Sequence, residues 1–175
     1  MNQFDQFQYA LSLTKVSENI FAFTPDSRYF VGNTPHGGYL MAIMNKALSS
    51  VMPHPSAINS NIYYLDRTEP AEAEIHIEIL RTSRGSTMGQ AKLIQDGKIR
   101  CLFSGLYSDF TYMKGYSGLG TPLPSIMHSV AEEEYKVMSY DILKPGSTPS
   151  FIQQLELSVH PQHAWWDREI TSGDA

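Results

Sequence analysis

The stretch "GGYLMAIMNKAL", residues 37–48, constrains the fold more than any other part of the chain. Tyr39, Leu40, Met41, Ala42, Ile43 and Met44 would put apolar side chains on every side of the first two turns of a helix. A helix that is apolar all round is buried all round. Pro53 sets its end, because proline restricts the residue before it and cannot donate an intrahelical bond. The helix is therefore expected from near Gly37 to a point before Pro53. With 175 residues, 42% of them hydrophobic, the chain can build one domain with a real core, or one such domain plus an appendage. The economical cover for a helix of this kind is a sheet wrapped about it.

That sheet is legible downstream. "AEAEIHIEIL" at 71–80 alternates, with Ile75, Ile77 and Ile79 on one face and Glu74, His76 and Glu78 on the other, as in a strand with one wet face. "STMGQAKLIQ" and "IRCLFSGLYS" flank "DGK", where Asp96 and Gly97 suit a tight hairpin. "NSNIYYL" at 59–65 supplies a further strand. Upstream, "FQYALSL" at 7–13 and "NIFAF" at 19–23 read as strands separated by a turn at "TKVSE". The predicted class is α+β: strand, buried helix, then about four antiparallel strands. From Thr111 to Ser150 the chain is rich in Gly, Pro and Ser around one short helical piece near 129–138, which reads as a connector. Beyond it, "FIQQLELSVHPQHAWWDREI" returns to strand-like content. At a constant offset, Phe7, Leu11, Leu13 and Phe21 fall on Phe151, Leu155, Leu157 and Trp165.

Composition narrows the partners. Net charge is -5 with the 13 Lys and Arg dispersed, so there is no basic stripe to follow a nucleic-acid backbone. The run "AEEEYK" at 131–136 reads as a solvated helix face. No apolar run approaches the roughly 18 residues of a membrane span, and "MNQFDQFQYA" lacks a secretory layout; a cytoplasmic location is the expectation. The single Cys101 rules out an internal disulfide framework and a multi-cysteine zinc site, and reads as a small core residue on a strand. No metal and no cofactor are expected.

The series "PHGGYLMAIMNKAL", "YYLDR", "EIHIEILRTSRG" and "AKLIQDGK" resembles the hotdog fold of acyl-CoA thioesterases. It is most similar to the tandem-hotdog, thioesterase-like branch related to bacterial acyl-CoA thioesterase II. The resemblance covers residues 5–110 well and 150–175 faintly. It implies a hotdog domain over 1–110, a linker with a short helix over 111–149, and the first strands of a truncated second hotdog over 150–175. It also implies an acyl-CoA substrate and a homodimer that imitates the tandem arrangement. A catalytically weak acyl-CoA or acyl-lipid binding protein is the alternative.

The same resemblance distributes roles over the residues. A helix N-terminus presents unpaired N–H groups and partial positive charge, and glycine allows close approach. A backbone N–H of Gly37 or Gly38 would then stabilise the thioester oxyanion, although glycines needed only for a tight turn are a second reading. His36 would shape the doorway or touch substrate, and Asn33 would help hold the loop. In related thioesterases a catalytic carboxylate stands nine residues after the histidine, where this chain has Asn45. An amide cannot be a general base; it can orient a water, or simply bond a neighbouring backbone group. Asp66 and Glu69 are the other candidate bases. In the tandem family the better-defined catalytic groups, an Asp, a Thr and a Gln, come largely from the second hotdog. Arg81 and Arg84, with Lys92 and Lys98 nearby, are the candidates for the CoA phosphates. Tyr39, Leu40 and Ile43 on the helix, with Tyr63 or Leu65 on the adjoining strand, would line the acyl slot.

Overall fold

Gly37–Ser49 is helical (α2), ending four residues short of Pro53. Its buried residues are Tyr39, Leu40, Ile43, Met44, Ala47 and Leu48, a stripe at helical spacing, while Met41, Ala42, Asn45 and Lys46 are only half-buried. The expectation of burial all round is corrected here: one sheet covers one side of a helix, and the opposite side stays partly open.

These features come from a computed structural model that describes residues 2–112, 114–116, 118, 120–121, 135–137 and 149–161. The chain divides into two units, Met1–Gly115 and Tyr116–Ala175. The first holds an N-terminal helix α1 (Gln3–Ala10) and strands β1 (Thr14–Ser17), β2 (Ile20–Phe23), β3 (Phe30–Val31), β4 (Thr34–Pro35), β5 (Ser56–Tyr64), β6 (Ala73–Thr82), β7 (Ser86–Gln95) and β8 (Lys98–Ser108). Six of them form one antiparallel sheet in the order β1-β2-β6-β7-β8-β5, with α2 entered after β4 and left before β5. Alternation decides the faces. Ile75, Ile77, Ala91, Leu93, Cys101, Phe103 and Tyr107 are buried beneath α2, and Glu74, Glu78, Gln90 and Lys92 lie on the other side. His76 is half-buried on that outer face, its ring 2.7 Å from Glu74. At the β7–β8 hairpin, Asp96 (φ 49°) and Gly97 (φ 72°) both take the positive φ that a primed two-residue turn requires.

Two N-terminal expectations are overturned. "FQYALSL" is mostly helix, because Asn2 caps α1 by accepting from the Asp5 N–H at 2.8 Å and because Phe7 packs edge-on to Tyr29. "TKVS" is strand β1, and the turn falls later, at Glu18 and Asn19. In the second unit, β9 (Lys136–Val137) pairs antiparallel with β10 (Ser158–Val159). Ser150–Gln154, expected as strand, is a 3-10 turn: Pro149 sits at φ -57°, and its carbonyl accepts from the Ile152 N–H at 3.1 Å. The helical piece near 129–138 falls largely on residues outside the described ones, as do positions 162–175 of the expected second set of strands; within it, Lys136 and Val137 are strand. Among the described residues no helix is long and apolar enough to cross a membrane, and no group of three or more His, Cys, Asp or Glu side chains could hold a metal ion.

Tyr39 locks α2 to the N-terminal segment. Its hydroxyl donates to the Ala10 carbonyl at 2.8 Å and accepts from the Asp26 N–H at 3.1 Å, and its ring stacks on Tyr29 with centroids 5.2 Å apart. Burial pushes the phenols of Tyr39 and Tyr107 up to about 12. The unfolded chain ionises these groups near 10, so above that pH it binds fewer protons than the folded chain. Stability is therefore expected to be independent of these two groups below pH 10, to fall between pH 10 and 12, and then to level. Denaturant titrations across that range, with Tyr39→Phe flattening the slope, check this.

Candidate functional site

The entrance to α2 is built by its cap. His36 accepts from the Gly38 N–H through Nδ1 at 3.2 Å, so that donor is already engaged. The Leu40 N–H goes to the His36 carbonyl at 3.1 Å. The Gly37 N–H has no hydrogen-bond partner among the described residues. Between the two predicted donors, the geometry therefore leaves Gly37 free. A Cβ on Gly37 would sit 2.8 Å from the Tyr64 hydroxyl, which donates to the Gly37 carbonyl at 2.7 Å. The glycine is needed here for close approach, not for a special φ.

In front of Gly37 lies an open cavity of about 390 Å³ lined by Leu40, Tyr64, Leu65, Asp66 and Arg67 among others. The end of β5 is pinned there: Leu65 and Asp66 both donate their N–H to the Arg100 carbonyl, at 2.8 and 3.1 Å. The Asp66 carboxylate accepts from the Arg67 N–H at 2.8 Å and from Arg100 Nη1 at 2.6 Å. The Arg67 N–H, with the Arg100 and Lys98 charges, holds the Asp66 carboxyl below the usual carboxylate range. Arg67 Nη2 also reaches the Asn33 carbonyl at 3.4 Å, so Asn33 takes part in this loop through its backbone.

Other predicted site residues lie elsewhere. Ile43 is fully buried and Tyr39 is committed to the core contacts above; neither lines the cavity. Tyr63 is more than half exposed and, by strand alternation, points away from the face that carries Tyr64; Tyr64 is the tyrosine at the entrance. Glu69 is drawn outward to Arg67, with Nε to Oε1 3.6 Å, and its backbone is tied to Gln95.

Asn45 is eight residues beyond Gly37, about 12 Å along the helix. Its Oδ1 accepts from the buried Tyr107 hydroxyl at 2.6 Å. The amide oxygen therefore turns toward the sheet and the NH2 group is the end left to interact. Arg81 and Arg84 are exposed at that same far end. Along β8 the register runs from Cys101, opposite Tyr64, to Tyr107, opposite Ala57 and Thr87. His54, buried, bridges Thr87 Oγ1 (2.8 Å) and the Arg84 carbonyl (3.2 Å) there. Within one chain the candidate residues thus form two groups: His36, Gly37, Gly38 and Asn33 at the entrance, and Asn45, Arg81 and Arg84 at the opposite end. Sequence reasoning missed Tyr64 and Tyr107, although the two-residue periods of "NIYYL" and "CLFSGLYS" carry the signal for both.

The helix, its entrance and the five strands around it have known counterparts. Residues 25–108 match the acyl-CoA thioesterase N-terminal domain family. They have the hotdog fold. No curated protein gives a significant sequence match. Among solved structures, a candidate thioesterase II from Thermobifida fusca superposes with a TM-score of 0.71 at 20% identity, over 90% of this chain and 55% of that one. A conserved hot dog protein of unknown function from Alicyclobacillus acidocaldarius gives 0.71 at 16% identity, over 85% and 52% of the two chains. The phenylacetic acid degradation protein PaaI of Thermus thermophilus, as its N33D mutant, gives 0.54 at 21% identity, over 60% and 99%. The chain thus spans about half the length of the first two relatives. In this chain β2-β6-β7-β8-β5 lie against α2, and β1 is added at one edge.

Proposed function

We propose that the chain is an acyl-CoA thioesterase that hydrolyses its thioester by attack of an oriented water. The observation that carries this is the Gly37 N–H, without a hydrogen-bond partner among the described residues, at the positive end of a thirteen-residue helix whose first residue lines the cavity with Leu40 and Tyr64. A thioester carbonyl seated there gains a hydrogen bond that strengthens as its oxygen takes on charge. His36 acts by fixing the first turn, and leaves Gly37 as the donor.

A second hotdog completes the site. Strand β5 is a sheet edge that carries Ile58, Tyr63 and Tyr64 exposed, with Leu65 just beyond it, and an uncovered apolar edge favours pairing with another strand. Antiparallel pairing across β5 would bring the Tyr64 end of one hotdog beside the Ala57 end of the other. The entrance of one would then face Asn45, Arg81 and Arg84 of its neighbour, where the arginines can meet CoA phosphates and the Asn45 NH2 can donate to substrate or hold a water. We propose another copy of this chain as that neighbour, and the cytoplasm as its location. Gel filtration at micromolar concentration should give a dimer; a monomer would count against the arrangement.

The decisive assay is release of free CoA from acyl-CoAs of graded chain length. Saturable acyl-CoA binding without release would instead establish the binding-protein reading, which the amide at position 45 favours.

A further inference from the structure

If the thioesterase reading holds, the entrance still needs a group to take a proton from water, and Asn45 cannot supply one. Asp66 is the sole carboxylate among the residues that line the cavity with Gly37. We propose that Asp66 is the general base of the reaction and that Arg100 is its positioning residue. This rests on the thioesterase reading and adds to it the catalytic carboxylate.

The geometry of the loop supports the assignment. Arg100 holds Asp66 twice, its carbonyl accepting the Asp66 N–H at 3.1 Å and its Nη1 donating to Oδ2 at 2.6 Å. The Arg67 N–H fixes Oδ1 at 2.8 Å. Gln95 anchors the chain that follows, accepting from the Glu69 N–H and donating to the Ala71 carbonyl, both at 2.9 Å. The guanidinium is buried at 10% side-chain exposure, whereas the carboxylate is 52% exposed and open to solvent in the cavity. An ion pair with one partner sunk in the protein and the other facing a cavity is oriented for work on that side. Each carboxylate oxygen carries one protein donor and keeps a second lone pair for water.

In the step, the water oxygen bonds to the thioester carbon while one of its protons passes to Asp66. The carbonyl electrons move onto the oxygen at the Gly37 N–H. As the intermediate collapses, the C–S bond breaks, and the Asp66 proton passes to the departing CoA thiolate. The products are the carboxylic acid and free CoA, and Asp66 is left ionised for the next cycle.

The charged groups around Asp66 are Arg100 and Lys98 on β8, Arg67 and Glu69 on its own loop, and Asp96 at the hairpin, 3.8 Å from the Arg100 guanidinium. With the carboxyl held low by the Arg67 N–H and these cations, the acid limb of kcat/KM should lie below the ordinary Asp range. Asp66→Asn keeps the shape and an acceptor for Arg100 but not the base. It should lower kcat by about 10²–10⁴-fold, leave KM close to wild type in a protein that stays folded, and erase the acid limb. Asp66→Glu should recover part of the rate, and Arg100→Met should raise the acid limb toward the usual carboxylate range. Asp66→Asn keeping kcat within about threefold, in a protein whose Gly37→Pro variant is slowed about 10²–10³-fold, would overturn the role of Asp66 and leave the thioesterase reading standing. Wild-type protein that releases no CoA would overturn both.

Discussion

Replacing Gly37 with proline is expected to slow CoA release by about 10²–10³-fold in kcat while the fold survives, the loss usual for deleting one oxyanion donor. Proline removes the N–H and little else at this position. Gly37 is the first helical residue, where the fixed φ of proline suits the helix and its missing donor breaks no intrahelical bond. The preceding residue must be extended, and His36 already is, at φ -62° and ψ 139°. The one insult is steric, since a Cβ would stand 2.8 Å from the Tyr64 hydroxyl, the far end of a half-exposed side chain. Gly37→Ala carries that Cβ and keeps the N–H, so the difference between the two variants isolates the donor. Equal rates for alanine and proline would show that Gly37 serves the approach of Tyr64 and not the oxyanion. Proline at Gly38 would be a poorer probe, because it would press Gly37 out of its helical conformation and also remove the hydrogen bond to His36.

The contrast between what the sequence disclosed and what it hid follows from the range of the interactions. The apolar stripe of α2 and the alternation of β6, β7 and β8 are properties of neighbouring residues, so a period of 3.6 or 2 reveals them. The glycine doorway is equally local. The chemistry is not: Tyr64 meets Gly37 across 27 residues, Arg100 meets Asp66 across 34, and Tyr107 meets Asn45 across 62. Each of these pairs depends on strand register, and a slip of one residue would turn every side chain to the other face. Choosing Tyr63 over Tyr64 is an error of parity of this kind. In "FQYALSL" the apolar residues fit a strand, and the two features that decide for a helix are the Asn2 cap and the distant ring of Tyr29. The direction of the Asn45 amide was beyond sequence reading altogether, since it is set by a single hydroxyl on the opposite sheet.

Leu48→Ala is expected to destabilise the hotdog unit by about 2–5 kcal/mol, because Leu48 is fully buried and its seat cannot close. The seat is made by two glycines directly opposite each other on β7 and β8, Gly89 and Gly105. A Cβ on either would lie 3.1 Å from a Leu48 methyl, and on Gly105 also 2.7 Å from Cε2 of Tyr107. Gly105→Ala should therefore cost about 1–3 kcal/mol through overpacking. Because the added methyl enters the space that the shortened Leu48 vacates, the double variant should lose less than the sum of the two singles, a coupling that urea titrations with unchanged m-values would measure. Strict additivity would mean that the glycines do not set how closely α2 approaches the sheet. The same substitution reaches the far end of the site. The Tyr107 ring it displaces is the one whose hydroxyl holds Asn45, so Gly105→Ala should loosen the amide even where the protein stays folded. Packing at two glycines and the orientation of a polar group on the helix are then one structural problem, solved by how near α2 is allowed to come.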